Sequence, residues 1–260
     1  MLLAPLAQAA EPTADSPPSV TLASHPADFL LLAPAARARM SPELALASYE
    51  QRLERQSATL AGYTAHQVVE AALPDSAQSG RYELTRRYAA PRSLEFKSLG
   101  FTGDGFVKGN LIHRLLQSEV EHVEKDKGRE TAISQENYKF RYRGLETLAG
   151  APLYVFEVKP RKKRPGLFKG NVYLDVFTGS LRRAQGKLVK SPSFFVRKVE
   201  FVRDYVDVEG FTFPARMHSE ATVRLVGRTI VDIAFSQYQP QLAVAGEGSR
   251  PLPGSPGSAP

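Results

Sequence analysis

The chain has 260 residues, of which 42% are hydrophobic and 23% charged, an ordinary composition for one large or two small globular domains. It contains no cysteine, which excludes disulfides, thiolate catalysis, thiolate metal sites and a lipid-anchored amino-terminal cysteine. The net charge of +7 favours anionic partners such as nucleic acid, an anionic membrane surface or an acidic protein, and it does not indicate a fold.

The first forty residues resemble an export segment followed by an irregular arm. Residues 7–9 (AQA) fit the small-x-small cleavage pattern of a secretory signal, although the preceding apolar run is short and has no basic residue. A disordered alanine-rich tail is the alternative. We expect residues 1–9 to be a trimmed signal segment and residues 10–40 a mostly irregular arm. No run approaches the ~20 apolar residues of a spanning helix, so an exported product is expected to be soluble.

A first helix is predicted to begin at Ser41. Ser41 is a favourable N-cap residue, Pro42 suits the first helical position, and Glu43 places an acid in the first turn. Apolar residues from Leu46 onward recur at helical spacing along one stripe, with the charged residues mostly off it. The helix is therefore amphipathic and needs an apolar surface to pack on.

From about Leu60 to Leu99 the apolar spacing changes to two, which predicts strands. In the segment RYELTRRY, Tyr82, Leu84 and Tyr88 share one face. A second amphipathic helix is predicted over residues 106–125, directly after the glycine-rich segment FTGDG. The two helices could cover one side of a sheet.

Strands continue from Tyr138 almost to residue 239, and short turns separate them. Many successive strands, each half apolar and half charged, indicate an antiparallel sheet with one face in water. A sheet of this length must curl. We therefore predict an α+β, mainly β fold: a curved antiparallel meander forming an incomplete β-barrel capped by two or more helices. This domain is assigned to residues 41–239, and the Gly-, Pro- and Ser-rich residues 240–260 to a disordered tail.

The most basic stretch, KPRKKRPGLFKG at residues 159–170, lies between two predicted strands. Pro160 and Pro165 bracket its charges and Gly166 follows, which is typical of a hairpin loop in solvent. Contact with an anionic membrane surface is the alternative, at roughly 1 kcal/mol per Lys or Arg. Nucleic acid is not expected as a partner, because neither helix has a basic face to read it.

Motifs that would indicate catalysis are missing from the sequence. The five histidines form no H-E-x-x-H pattern, and neither G-x-S-x-G nor a P-loop occurs. Glu119 and His122 have the i, i+3 spacing of a di-iron bundle, but the second such pair that a bundle requires is not present. We therefore expect no enzyme activity, no metal and no cofactor.

The order of predicted elements and several phrases resemble the periplasmic lipoprotein-carrier superfamily (LolA- and LolB-like), and most closely its outer-membrane lipoprotein-sorting group. The phrases are LIHRLLQSEVEHV, NYKFRYRG, APLYVFEVKP, GNVYLDVFTGSLRRAQG, SPSFFVRKVEFVRDY and GFTFPARMHSEATVRLVGR. The resemblance covers roughly residues 41–239. It implies a half-barrel whose apolar interior holds the acyl chains of lipoproteins or lipids. Because the chain has no cysteine, it matches the soluble carrier and not the lipid-anchored acceptor of that family.

A carrier of this kind would be a soluble periplasmic protein that moves its cargo toward the outer membrane. An inner-membrane transporter would load it and a tighter outer-membrane acceptor would unload it, since nothing in the sequence supplies chemical energy. Residues 103–105 and Gly109 are the expected hinge of a lid. The residues expected to line the lipid-binding cavity, each of which could instead fill a closed core, are Leu84, Phe96, Phe140, Phe156, Leu174, Val199, Phe201, Phe213, Met217, Val223, Ile233 and Phe235.

Two other functions fit the same pattern. An envelope-stress or signalling sensor of the same fold would bind a partner protein instead of a lipid, although sensors of that type have an additional carboxy-terminal domain. A structural envelope protein would dock on membranes through its basic loops.

Overall fold

The structure, a computed structural model, describes residues 38–190, 196–224 and 227–243. The predicted signal segment, most of the predicted arm and most of the predicted tail lie outside these residues. The last strand continues to Leu242, beyond the domain boundary predicted at residue 239.

Helix α1 spans Pro42–Thr59 and begins where the sequence predicted. The Ser41 hydroxyl accepts a hydrogen bond from the backbone N–H of Leu44 at 3.2 Å, which satisfies one of the unpaired donors at the helix start. Ala45 and Tyr49 are the residues that α1 buries most completely.

Ten strands follow, interrupted by a helical segment. The first three are β1 (Leu60–Leu73), β2 (Gln78–Ala89) and β3 (Ser93–Gly103). The helical segment comprises α2 (Gly105–Val107), a π-helical turn (Lys108–Ile112), α3 (His113–Glu124) and α4 (Gly128–Thr131). The remaining strands are β4 (Tyr138–Leu148), β5 (Ala151–Pro160), β6 (Phe168–Asp175), β7 (Leu181–Leu188), β8 (Val196–Val208), β9 (Phe211–Val223) and β10 (Gly227–Leu242).

All ten strands form one antiparallel sheet in the order β3-β2-β1-β10-β9-β8-β7-β6-β5-β4. The sheet is curved and does not close into a barrel, as predicted for a mainly β fold with a few helices. It is not a single meander, however. Strand β1 pairs with β10, for example Val69 opposite Ile233, so that two meanders meet in the middle of the sheet.

The sheet has an inner face, which the helices contact, and an outer face in solvent except for a small buried cluster of Leu153, Val155 and Tyr173. Two buried clusters occupy the inner face. Cluster 1 lies beneath α1 and contains Tyr138, Phe156 and Leu174 among others. Cluster 2 lies beneath α2 and α3 and contains Val69, Leu84, Ile112, Leu116 and Ile233 among others. Burial follows the two-residue alternation along β1 and β2, which is why sequence periodicity identified this face, whereas β5 and β6 have consecutive buried residues.

A pair of glycines allows close approach of strands β6 and β7. Gly170 and Gly186 face each other, and a Cβ on Gly170 would lie 1.9 Å from the backbone oxygen of Gln185. A Cβ on Gly186 would lie 2.3 Å from the backbone oxygen of Lys169. Only glycine fits two strands at this separation.

The basic stretch connects β5 to β6 as a loop, as its prolines and glycine predicted. Lys162 and Lys163 are exposed, while Leu167 beside them is buried in cluster 1. Gly166 has a positive φ of 83°, a conformation that glycine adopts without strain.

Candidate functional site on the inner face of the sheet

Nine of the twelve predicted lining residues belong to or contact the two buried clusters of the inner face. Cluster 1 includes or contacts Phe140, Phe156, Leu174 and Phe201. Cluster 2 includes or contacts Leu84, Phe96, Met217, Ile233 and Phe235. Phe213, Val199 and Val223 belong to neither cluster. The twelve residues together do not line one continuous vacant pocket. Five of them are at most 3% exposed: Leu84, Phe156, Leu174, Phe213 and Ile233.

Between the two clusters, strands β8 to β10 carry large side chains that are only half-buried. Phe201, Met217 and Phe235 belong to this central strip. An aromatic group borders it, in which the ring of Phe213 stacks on Tyr238 at 4.4 Å and meets Tyr63 edge-on at 5.1 Å. Such rings offer a broad, stiff apolar surface.

One cation lies within the central strip. The Nη2 atom of Arg203 is 3.2 Å from the sulfur of Met217, and its guanidinium carbon is 5.8 Å from the ring centre of Phe201. Among the described residues no carboxylate lies within 4 Å of Arg203, whereas many other arginines of the sheet form ion pairs. The strip is thus apolar with one positive charge.

Helix α1 is fastened to the rest of the domain at several points. The Tyr49 hydroxyl donates to the carbonyl of Ile133 at 2.7 Å, and the guanidinium of Arg52 lies 3.1 Å from the carboxylate of Asp207. The side-chain amide of Gln56 makes two hydrogen bonds with the backbone of Thr212, at 2.8 and 3.1 Å. Burial is the first cause that raises the pKa of Tyr49 well above its ordinary value. Helix α1 is therefore a fixed cover over cluster 1.

Helix α3 is fastened much more sparsely. Within the described part of the chain, one ion pair joins it to the sheet, between Glu119 and Arg86 of β2. The Nε atom of Arg86 also donates to the Tyr63 hydroxyl at 2.9 Å. Burial disfavours the Arg86 charge, but Glu119 and Tyr63 outweigh that effect, so the pKa of Arg86 is raised. The other contacts of α3 with cluster 2 are apolar, through residues such as Leu116.

Sequence analysis missed the polar groups of the inner face. In RYELTRRY the alternation that joins Leu84 to Tyr88 also places Arg86 on that face, and this signal was available. Its partner Glu119 was considered as a metal ligand and rejected, and its pairing with Arg86 was not predicted. No described group of three or more His, Asp or Glu residues could hold a metal ion.

Three cavities lie on the opposite, outer face. The first has a volume of about 1190 Å³, and two others measure about 430 and 370 Å³. The first is lined by residues of mixed charge, among them Arg143, Lys169, Lys187, Glu200, Glu220 and Arg228. Several of these charges neutralise one another, as in the ion pair between Lys187 and Glu200 at 2.6 Å. In the parts of the chain that the structure describes, no helix combines the length and apolarity needed to span a bilayer.

Comparison with known proteins yields similarity to solved structures only. No protein-family profile matches the chain, and no curated protein matches it. A LolA superfamily protein from Nitrosomonas europaea is 11% identical over 76% of this chain and 93% of that chain, with a TM-score of 0.37. An outer membrane lipoprotein-sorting protein domain from Vibrio parahaemolyticus is 12% identical over 79% and 95%, with a TM-score of 0.36. The MucA/MucB complex of Pseudomonas aeruginosa is 11% identical over 75% and 99%, with a TM-score of 0.24. The first two agree with the resemblance drawn from the sequence, and at these TM-scores nothing about binding follows from them.

Proposed function

We propose that this protein is an exported, periplasmic carrier that holds the acyl chains of lipoproteins or lipids against the inner face of its sheet. The observation that carries this proposal is the unequal fastening of the two helices. Helix α1 is held by several polar contacts, whereas α3 covers cluster 2 with a single described ion pair to the sheet, Arg86 to Glu119.

Cluster 2 is closed in this structure, so a guest would reach it only when α3 moves away from the sheet. Its residues Val69, Leu84 and Ile112 are not exposed at all. The π-helical turn, Lys108–Ile112, contains Gly109 and precedes α3, so the backbone irregularity lies where the sequence predicted a hinge. Movement of α3 about this turn would expose cluster 2 and join it to the central strip.

The energy of such an exchange favours an acyl chain as guest. Each methylene transferred from water to an apolar surface contributes about 0.8 kcal/mol, so a chain of about 14 methylenes contributes on the order of 11 kcal/mol. The ion pair that α3 breaks costs about 1.5–3 kcal/mol, which is much less than this gain. Loading and unloading would depend on a donor transporter and an acceptor, because the protein binds and releases without chemistry of its own.

Two measurements test the proposal. Lipid extracted from the purified protein is identified by mass spectrometry, and the delipidated protein is titrated with a fluorescent fatty acid, cis-parinaric acid. We expect a co-purifying acyl lipid and saturable binding of one or a few probe molecules. Absence of both would refute the carrier function.

A protein-binding role, as in an envelope sensor, is the second candidate. The outer cavity of about 1190 Å³, lined by alternating charges, favours it because such a groove suits a polar peptide better than a lipid. Its test is a substitution on that face. Lys187→Glu would then weaken binding of the partner protein while acyl binding stays unchanged.

A further inference from the structure

Strand β1 carries a buried polar side chain for which the fold offers no partner. Gln67 is not exposed at all, yet neither its Nε2 nor its Oε1 atom makes a hydrogen bond with any residue that the structure describes. Its side chain lies on the inner face, in the same alternation as Ala65, Val69 and Ala71, which are apolar. Nearly all buried polar groups in proteins are paired, so an amide with both ends unpaired requires an explanation.

The surroundings of Gln67 restrict what could pair with it. Leu84 of β2 and Phe235 of β10 are its register partners, and both belong to or contact cluster 2. The nearest charged position along that face is Arg86, which Glu119 already neutralises. A partner must therefore be neutral, be carried on an apolar body, and offer an acceptor to Nε2. An ionised carboxylate or phosphate would lose too much hydration here.

We propose that Gln67 recognises the carbonyl group of an acyl linkage, an ester or an amide, when an acyl chain lies in cluster 2. This inference rests on the proposed carrier function and deepens it. The Nε2 group donates to the linkage carbonyl, and the Oε1 atom is available to an N–H or O–H of the same ligand. The amide is thus unsatisfied in the empty protein and paired in the loaded one, which discriminates acyl lipids from plain hydrocarbon and ether chains.

The experiment compares three probes with the same apolar chain. The delipidated protein is titrated with 1-monopalmitoylglycerol, its ether analogue 1-O-hexadecylglycerol, and N-palmitoylethanolamine. We expect the two carbonyl probes to bind about tenfold more tightly than the ether, the worth of one net hydrogen bond. The ranking of ester and amide then identifies the linkage.

Two variants make the result specific. Gln67→Met keeps the length of the side chain and should bind the ether within about twofold of the native protein while losing the preference for carbonyl probes. Thr229→Val is the matched control, because Thr229 is 4% exposed and its hydroxyl is also unpaired among the described residues, but it lies on β10 six residues from Phe235, the register partner of Gln67. This variant should keep the preference.

Each outcome decides a separate point. Binding of no probe refutes the carrier function itself. Equal binding of ester, amide and ether refutes the role of Gln67 and leaves the carrier function standing. A preference that survives in Gln67→Met refutes it as well. The role of Gln67 is also refuted if the unfolding temperature of ligand-free Gln67→Met falls by several degrees, because that would show that the amide is already paired in the empty protein.

Discussion

The ion pair that fastens α3 gives the sharpest prediction. Replacing Glu119 with alanine leaves Arg86 with the Tyr63 hydroxyl and the ring of Phe96, and without a described carboxylate partner. The Arg86 side chain is 13% exposed in this site and that of Glu119 is 25% exposed. Loss of a charge-assisted hydrogen bond of this kind costs about 1.5–3 kcal/mol. If this cost falls on the contact between α3 and the sheet, α3 should open about ten to a hundred times more often, since each 1.4 kcal/mol is a factor of ten.

Hydrogen exchange measures that opening directly. We expect amides of α3 to lose ten- to a hundredfold of their protection in Glu119→Ala, while those of α1 keep theirs. The matched control is Glu121→Ala on the same helix, whose ion pair with Lys125 is about half exposed. An exposed i, i+4 pair of this type contributes little because solvent screens it, so protection should change at most about twofold.

The same two variants connect opening to binding. Uptake of cis-parinaric acid should be faster in Glu119→Ala than in Glu121→Ala, because the proposed function has the guest enter beneath α3. Equal protection losses in the two variants, or unchanged α3 amides in Glu119→Ala, would contradict the assignment of α3 as the movable cover.

Three further predictions concern other parts of the domain. Phe213→Asp should abolish folding or ligand retention, because it buries a charge at a 2% exposed position, while glutamine at residues 162–163 of the exposed loop should leave melting curves and bound lipid unchanged. Gly170→Ala should lower the unfolding temperature by more than about 5 °C, whereas Gly100→Ala, whose Cβ would meet nothing within 4 Å, should not. Burial, followed by nearby Lys127, lowers the pKa of His122 on α3. The stability that neutral His122 contributes is therefore present above about pH 6.5 and lost on acidification. Protection of the α3 amides from hydrogen exchange should fall from about pH 7 to 5, and it should fall less in His122→Gln. A rise in protection would contradict this.

Local pattern predicted the elements and the faces, and it could not predict partners in space. The N-cap at Ser41 and the strand alternation through Leu84 are encoded within a few residues, so the sequence sufficed for them. The pairing of β1 with β10 is not encoded locally, because either strand would accept any neighbour of the same parity. Whether the inner face is open or covered depends on how the helices pack, which periodicity does not measure.

The inner-face polar groups show the same limit. The pairing of Arg86 is not predictable from the sequence, because charged residues usually face water and its partner Glu119 is 33 residues away. Gln67 gave no signal at all, since a single amide in an apolar stretch is common. Only the coordinates show that it is fully buried and unpaired.

The meeting of β1 and β10 has a consequence for the time at which the domain can form. His66 and Ser236 are ladder neighbours, so the middle of the sheet cannot assemble before nearly the whole chain has emerged. Until then β1 presents a bare edge, and contacts of such long sequence separation form slowly. A nascent chain of this topology therefore needs protection from aggregation at that edge until its last strand arrives.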